Sequence, residues 1–214
     1  PAASPAASVA TSPAASVAPR TFGTAWTSVP CADLGILADF DQIADCGHVT
    51  VPENRTTGSG TVTLGVVRVR ATSGTSQSPI VLGTGGPGSN GLAEATPAWV
   101  GAHAAILKDH DWVFFTQRGT LGADPFLDCE GYSLRELNAG TQGLTPKESR
   151  AAGKAAFEAC VADHTAKGVD LGAYNSVENA ADIVDIKDAL GYDRIVYVGE
   201  SYGTQLGQFL LRDH

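Results

Sequence analysis

Arg194-Ile195-Val196-Tyr197-Val198-Gly199-Glu200-Ser201-Tyr202-Gly203-Thr204-Gln205-Leu206 is the most informative run in this chain. It opens as a β-branched segment of the kind that forms a buried parallel strand and passes through a G-x-S-x-G turn. It then enters a helix whose apolar face is Leu206, Phe209 and Leu210. In a chain with 25 glycines a bare G-x-S-x-G match is cheap. The strand before it and the helix after it supply the required context, because a sharp strand-to-helix turn lifts a serine hydroxyl clear of a sheet. Gly199 and Gly203 stand where side chains would crowd that turn. Ser201 is therefore the candidate nucleophile. The backbone N–H of Tyr202, at the start of the helix, is placed to face the oxyanion formed when a serine attacks a carbonyl.

Upstream, Pro79-Ile80-Val81-Leu82 reads as a strand running into Gly83-Thr84-Gly85-Gly86-Pro87-Gly88-Ser89-Asn90. Such a glycine-rich loop presents backbone N–H groups with no side chains in the way. Cradling phosphate would need a Gly-Lys-Ser/Thr ending, and no lysine is present here. The alternatives are a second oxyanion donor beside Ser201 or an ordinary tight loop. Further out, a strand around Cys46–Pro52 is expected to end at Pro52, with Thr56 to Gly60 turning the chain into Thr61–Arg70. There Val62, Leu64 and Val66, joined in part by Val67 and Val69, form one buried face, with Arg68 and Arg70 on the other.

Trp99 to Lys108 reads as helical, Asp111 to Phe115 as a strand, and Gln117-Arg118-Gly119-Thr120 as a turn. Thr145-Pro146-Lys147-Glu148 is a capping box with proline at the first helical position, so a helix runs from there to about Lys167, before Gly168. Another runs from Ser176 to Leu190 and closes at Gly191. Strands alternating with helices indicate a parallel α/β sheet.

Composition bounds the partners. A net charge of −9 and 43% hydrophobic residues suit a folded domain and disfavour nucleic acid or an anionic membrane surface. No apolar run reaches the ~18 residues that span a bilayer. With no C-x-x-C and no closely spaced His/Cys cluster, neither a metal nor a cofactor is called for. There is no methionine and the first residue is Pro1, so a secretory signal upstream is expected. Residues 1–19 are built almost wholly from Pro, Ala, Ser, Val and Thr, repeating Pro-Ala-Ala-Ser. Residues 1–22 are expected to be a disordered leader or linker ahead of a folded unit at 23–214. The four cysteines Cys31, Cys46, Cys129 and Cys160 fit two disulfides in any of three pairings, with four separate buried thiols as the alternative.

These motifs, in this order, resemble the N-terminal half of an α/β-hydrolase of the proline iminopeptidase and tripeptidyl aminopeptidase group, from about Trp26 to the end. Cys46-Gly47-His48-Val49-Thr50-Val51-Pro52-Glu53 is similar to the opening strand of secreted members. Gly85-Gly86-Pro87-Gly88 matches the core of the H-G-G-P-G loop, with Thr84 where many members have histidine. Gln117-Arg118-Gly119 matches the D-Q-R-G turn, with Thr116 replacing the aspartate. Gly199 to Thr204 matches the nucleophile elbow, and Tyr174-Asn175-Ser176 resembles the lead-in to the preceding helix.

The resemblance implies an α/β-hydrolase fold, a mostly parallel sheet with flanking helices, incomplete in this chain. It implies a serine hydrolase, secreted or held in the cell envelope, that releases short peptides or single residues from substrate N-termini. Esterase or amidase action on a small ester or amide is the alternative, and a non-catalytic binding module is the reading from another class. The N–H groups of Gly86 and Tyr202 are the implied oxyanion donors, with Gly85 and Glu200 as substrate-binding positions. Nearest-neighbour pairing of the cysteines, supported by the resemblance, is Cys31–Cys46 and Cys129–Cys160.

In this fold the catalytic order is Ser, then Asp or Glu, then His. After Ser201 only Asp213 and His214 remain, both roughly 18–20 Å away along the helix at ~1.5 Å per residue. His48, His103, His110 and His164 fall in the wrong part of the topology. The acid and the histidine are thus expected outside this chain, on a second polypeptide or on sequence cut away. The strand carrying Val196 is expected at an open sheet edge.

Overall fold

The computed structural model describes residues 23, 25–129, 131–132 and 142–214, so the leader expected at 1–22 lies outside the described residues. A short strand β1 (Trp26–Ser28) is followed by the long hairpin of β2 (Ala44–Asn54) and β3 (Ser59–Val69). Gly58 and Gly60 sit at φ +70° and +69° at the hairpin end, a region L-residues avoid. Pro52 does not end β2, since it pairs with Thr61 inside the strand. β1 covers β2 only over Gly47–Val49, so at Pro52 the far side is an edge where a missing N–H leaves no partner short.

The chain continues through β4 (Ile80–Gly83), α1 (Pro97–Ala102), α2 (Ala104–Leu107) and β5 (Trp112–Phe115). It then forms α3 (Pro146–Ala166), α4 (Ser176–Ala189), β6 (Val196–Gly199) and α5 (Tyr202–Asp213). The capping box at Thr145 is formed in both directions, and Gly168 and Gly191 take positive φ just past α3 and α4. The single helix expected over Trp99–Lys108 is instead broken at His103. That residue leaves helical dihedrals, and its ring packs edge-on to Trp112, with centroids 5.4 Å apart.

The six strands lie in the order β1-β2-β3-β5-β4-β6. β4 runs parallel to β5 and β6, while the hairpin side, including β3 against β5, is antiparallel. The parallel character expected from alternating strands and helices therefore resides in β5-β4-β6. Helices α4 and α5 cover one face, over Val62, Leu64, Val66, Val81, Val113 and Phe115. The other face packs Val67, Val69, Leu82, Trp112 and Phe114 under Leu92, Leu107 and Trp99. β3 is thus buried on both faces, and Arg68 is enclosed at 4% exposure, where its Nε donates to Asp45 at 2.9 Å. β6 forms the open edge, with Val196 and Val198 at 44% and 41% exposure. Among the described residues no helix is long and apolar enough to cross a membrane.

Disulfides join Cys31 to Cys46 and Cys129 to Cys160. The first ties the 3-10 turn Cys31–Leu34 to β2, and the second ties the chain beyond β5 to α3.

Candidate active site

The β6–α5 turn is built by backbone contacts that only glycine permits. A Cβ on Gly199 would stand 2.5 Å from the Gly203 carbonyl oxygen, and one on Gly203 would overlap the carbonyl oxygen of Gly83 at the end of β4. Gly203, the second residue of α5, therefore rests against the neighbouring strand. The Glu200 N–H donates to the Gly83 carbonyl at 2.9 Å, and the Gly203 N–H donates to the Glu200 carbonyl at 2.7 Å. Tyr197 supports the turn from below, its hydroxyl donating to the Gly203 carbonyl at 2.9 Å. Burial pushes this phenol well above its ordinary pKa, so it remains a neutral donor.

Ser201 sits at the apex with φ 50° and ψ −117°, the one non-glycine residue at positive φ among the described residues. A conformation of this kind costs on the order of 1–3 kcal/mol and persists where surrounding contacts over-determine it. Here its carbonyl accepts from the Thr204 N–H at 3.0 Å and the Thr204 hydroxyl at 2.6 Å. Its side chain is exposed.

The glycine-rich loop comes to the same point. A Cβ on Gly85 would lie 3.0 Å from Ser201 Cβ and 3.4 Å from Ser201 Oγ, so this glycine faces the serine directly. Gly86 and Gly88 follow at φ +109° and +107°. Tyr202 opens α5, with its hydroxyl 2.8 Å from Ser176 Oγ on α4. The Glu200 backbone is committed to Gly83 and Gly203, while its side chain is exposed. The structure thus brings together Ser201, Tyr202, Glu200, Gly85 and the loop carrying Gly86. Thr84, where relatives of the expected group have histidine, is buried under the loop, and its carbonyl accepts from Gln117 Nε2 at 3.0 Å. Thr116, in place of the aspartate, has its hydroxyl oxygen accepting from the Gly65 N–H at 2.9 Å.

All five histidines are placed elsewhere. His48 lies on β2 and lines a cavity of about 580 Å³ shared with Asp33, Asn90, Leu92 and Asp124. His103 Nδ1 is 2.8 Å from the Trp99 carbonyl oxygen, and His110 Nδ1 is 2.7 Å from that of Ser78, before β4 begins. His164 Nε2 is 3.1 Å from the Asp128 carbonyl oxygen, and His214 follows the far end of α5.

Sequence reasoning treated Gln117-Arg118-Gly119 as a turn and missed what its side chains hold. Arg118, 4% exposed, donates from Nε to Asp182 Oδ2 at 2.8 Å and from Nη2 to Asp182 Oδ1 at 2.7 Å. It also donates to the carbonyls of Glu53, Ala173 and Pro52, at 2.5, 2.9 and 3.1 Å. Burial pushes the Asp182 carboxyl upward, and Arg118 and Arg55 oppose that shift. A signal was present: Glu178, Asp182 and Asp185 fall at i, i+4 and i+7 on α4, a stripe of carboxylates beside the apolar Ile183 and Ile186.

A serine held on a strained strand-to-helix turn, beside the glycine loop of the adjacent parallel strand and on a sheet of this order, defines the α/β-hydrolase fold. Homologues carry names of the same kind. The chain is 29% identical over 190 residues to serine protease Hip1 of Mycobacterium tuberculosis, covering 85% of this chain and 35% of that protein. It is 31% identical over 171 residues to tripeptidyl aminopeptidase of Streptomyces coelicolor, covering 76% of this chain and 31% of that one. The chain thus spans about a third of the length of these curated relatives. No protein-family model matches it. Among solved structures, a proline iminopeptidase-related protein of Thermus thermophilus aligns at TM-score 0.43 and 16% identity, covering 78% of this chain and 40% of that one. A variant of the Vigna radiata epoxide hydrolase aligns at TM-score 0.41 and 17% identity, covering 79% and 35%.

Proposed function

We propose that this chain carries the nucleophile and oxyanion-binding half of an extracytoplasmic serine hydrolase of exopeptidase type. The observation that carries the reading is the meeting of Ser201, strained at φ 50°, with Gly85 of the glycine loop against its Oγ. Ser201 Oγ attacks a peptide carbonyl near the substrate's N-terminus and its proton passes to a histidine. The N–H groups of Gly86 and Tyr202 stabilise the negative carbonyl oxygen, and collapse releases the leaving amine with that proton. Water then hydrolyses the acyl-enzyme. The histidine and its acid come from residues outside these 214, on the same polypeptide or a companion. Among the described residues no hydrogen bond joins Ser201 Oγ to His48, His103, His110, His164 or His214, which supports this. The names serine protease and tripeptidyl aminopeptidase among its relatives support a peptide substrate over an ester. The two disulfides support an oxidising compartment.

The test is a fluorophosphonate probe applied to the complete protein that carries this chain, together with chromogenic tripeptide and ester substrates. Label on Ser201, lost in Ser201→Ala together with tripeptide turnover, is the expected result. Folded protein that refuses the label sinks the nucleophile reading and favours a binding module. Ester turnover without peptide turnover makes the protein an esterase.

A further inference from the structure

We propose that Gln117 is the positioning residue of the oxyanion loop: its buried amide clamps the Thr84 carbonyl and so sets the course of the backbone through Gly85 and Gly86 past Ser201. The inference rests on the serine-hydrolase reading above. Gln117 follows β5 and is 1% exposed, and its Nε2 donates to the Thr84 carbonyl at 3.0 Å. The clamp has a rigid base. The Gln117 carbonyl accepts from the Thr120 hydroxyl at 2.8 Å, Thr116 is bonded to β3, and Arg118 is locked onto Asp182.

What the clamp holds has few other ties. Gly83 is tied to the elbow through the Glu200 N–H, and Asn90 is fixed on the far side, where its Oδ1 accepts from the Leu92 N–H at 3.0 Å. Between them the chain makes its own turn over residues 86–88, and among the described residues no hydrogen bond ties Gly85, Gly86, Gly88 or Ser89 to another element. Glycines with no side chains and no tie to a neighbouring element populate many backbone states, whereas oxyanion donors act through being preorganised. The bond from Gln117 is the last fixed point before this run. Because the peptide is planar, holding the Thr84 C=O also fixes the Gly85 N–H on the opposite side. It fixes as well the approach of Gly85 to Ser201 Oγ, the 3.4 Å that a Cβ there would show.

The experiment uses the complete protein, with Ser201→Ala as control. Gln117→Leu removes the donor at similar size. Its kcat and its rate of fluorophosphonate labelling should fall about 10- to 100-fold, with KM within about 2-fold, as expected for misplaced transition-state donors. Gln117→Glu adds a pH readout. Ionised, the introduced carboxyl faces the Thr84 carbonyl with no proton to give. Protonated, its O–H donates to that carbonyl, so activity relative to wild type should recover as pH falls through the raised pKa of a buried acid. A Gln117 that only satisfies a buried carbonyl would lower the melting temperature, leave kcat per labelled site within about 2-fold of wild type, and give a flat pH ratio. That result overturns the proposal, and if Gln117→Leu does not fold, the pH ratio of Gln117→Glu decides. Wild-type protein unlabelled at Ser201 would instead defeat the serine-hydrolase reading, and this inference with it.

Discussion

Gly85 and Gly203 both belong to the site, yet a methyl group would meet different things at each. At Gly203 it would overlap the Gly83 carbonyl, so α5 would have to lift off β4. At Gly85 the backbone is not in the left-handed region, and the methyl would press only on Ser201. Gly85→Ala should therefore fold with a nearly unchanged melting temperature and lose most of its labelling at Ser201. Gly203→Ala should be destabilised by about 1–3 kcal/mol or more, as overpacked sites are, which is roughly 2–4 °C in Tm per kcal/mol for a domain of this size. Thermal melts and probe labelling of both variants check this, and equal melting temperatures would refute it. The two elbow glycines and Ser201 were legible in the motif. That Gly85 faces Ser201 was not, because the two are brought together only by the pairing of β4 with β6.

Helix ends were read correctly from sequence because their causes are local: Thr145 and Glu148 cap α3 across three residues, and Asn175 caps α4 by accepting from the N–H groups of Val177 and Glu178. The break at His103 and the burial of Arg68 were not: His103 packs between Trp99 one turn before it and Trp112 on β5, and Arg68 is met by Asp45 on β2. The two disulfides also differ by environment. Cys31 and Cys46 are buried, whereas Cys129 and Cys160 are half-buried. Mild dithiol reductant followed by alkylation and peptide mapping should therefore open Cys129–Cys160 first. Replacing both Cys31 and Cys46 by Ala should cost stability in two ways. Closing a loop of about 15 residues is worth ~3 kcal/mol in the chain-entropy model, and two buried side chains are shortened besides. Cys31–Cys46 opening first would contradict this account.

Across the whole molecule, Arg118 holds together segments far apart in sequence: the end of β2, the turn after β5, Ala173, and Asp182 on α4. Arg118→Leu leaves the buried carbonyls of Glu53 and Ala173 and the part-buried carbonyl of Pro52 without their donor, and Asp182 with Arg55 as its remaining guanidinium partner. Breaking a buried ion pair in this way is expected to cost about 3–5 kcal/mol. Arg118→Lys should recover only part of it, because one ammonium does not match a bidentate carboxylate and three carbonyls at once. Denaturant midpoints of the two variants test the claim, and a lysine variant as stable as wild type would show that charge alone suffices.

The sequence by itself determined the elements and the elbow, since periodicity, caps and glycine turns act over a few residues and leave their pattern in the chain. It also held the nucleophile candidate, because strand, turn and helix are contiguous around Ser201. The edge position of β6 was likewise expected from the sequence, whereas only the tertiary structure decided that β4 lies between β5 and β6 and which distant groups Gln117 and Arg118 serve. Those facts depend on which segments meet across the sheet, and a side chain's partner more than thirty residues away leaves no periodic trace in its own neighbourhood.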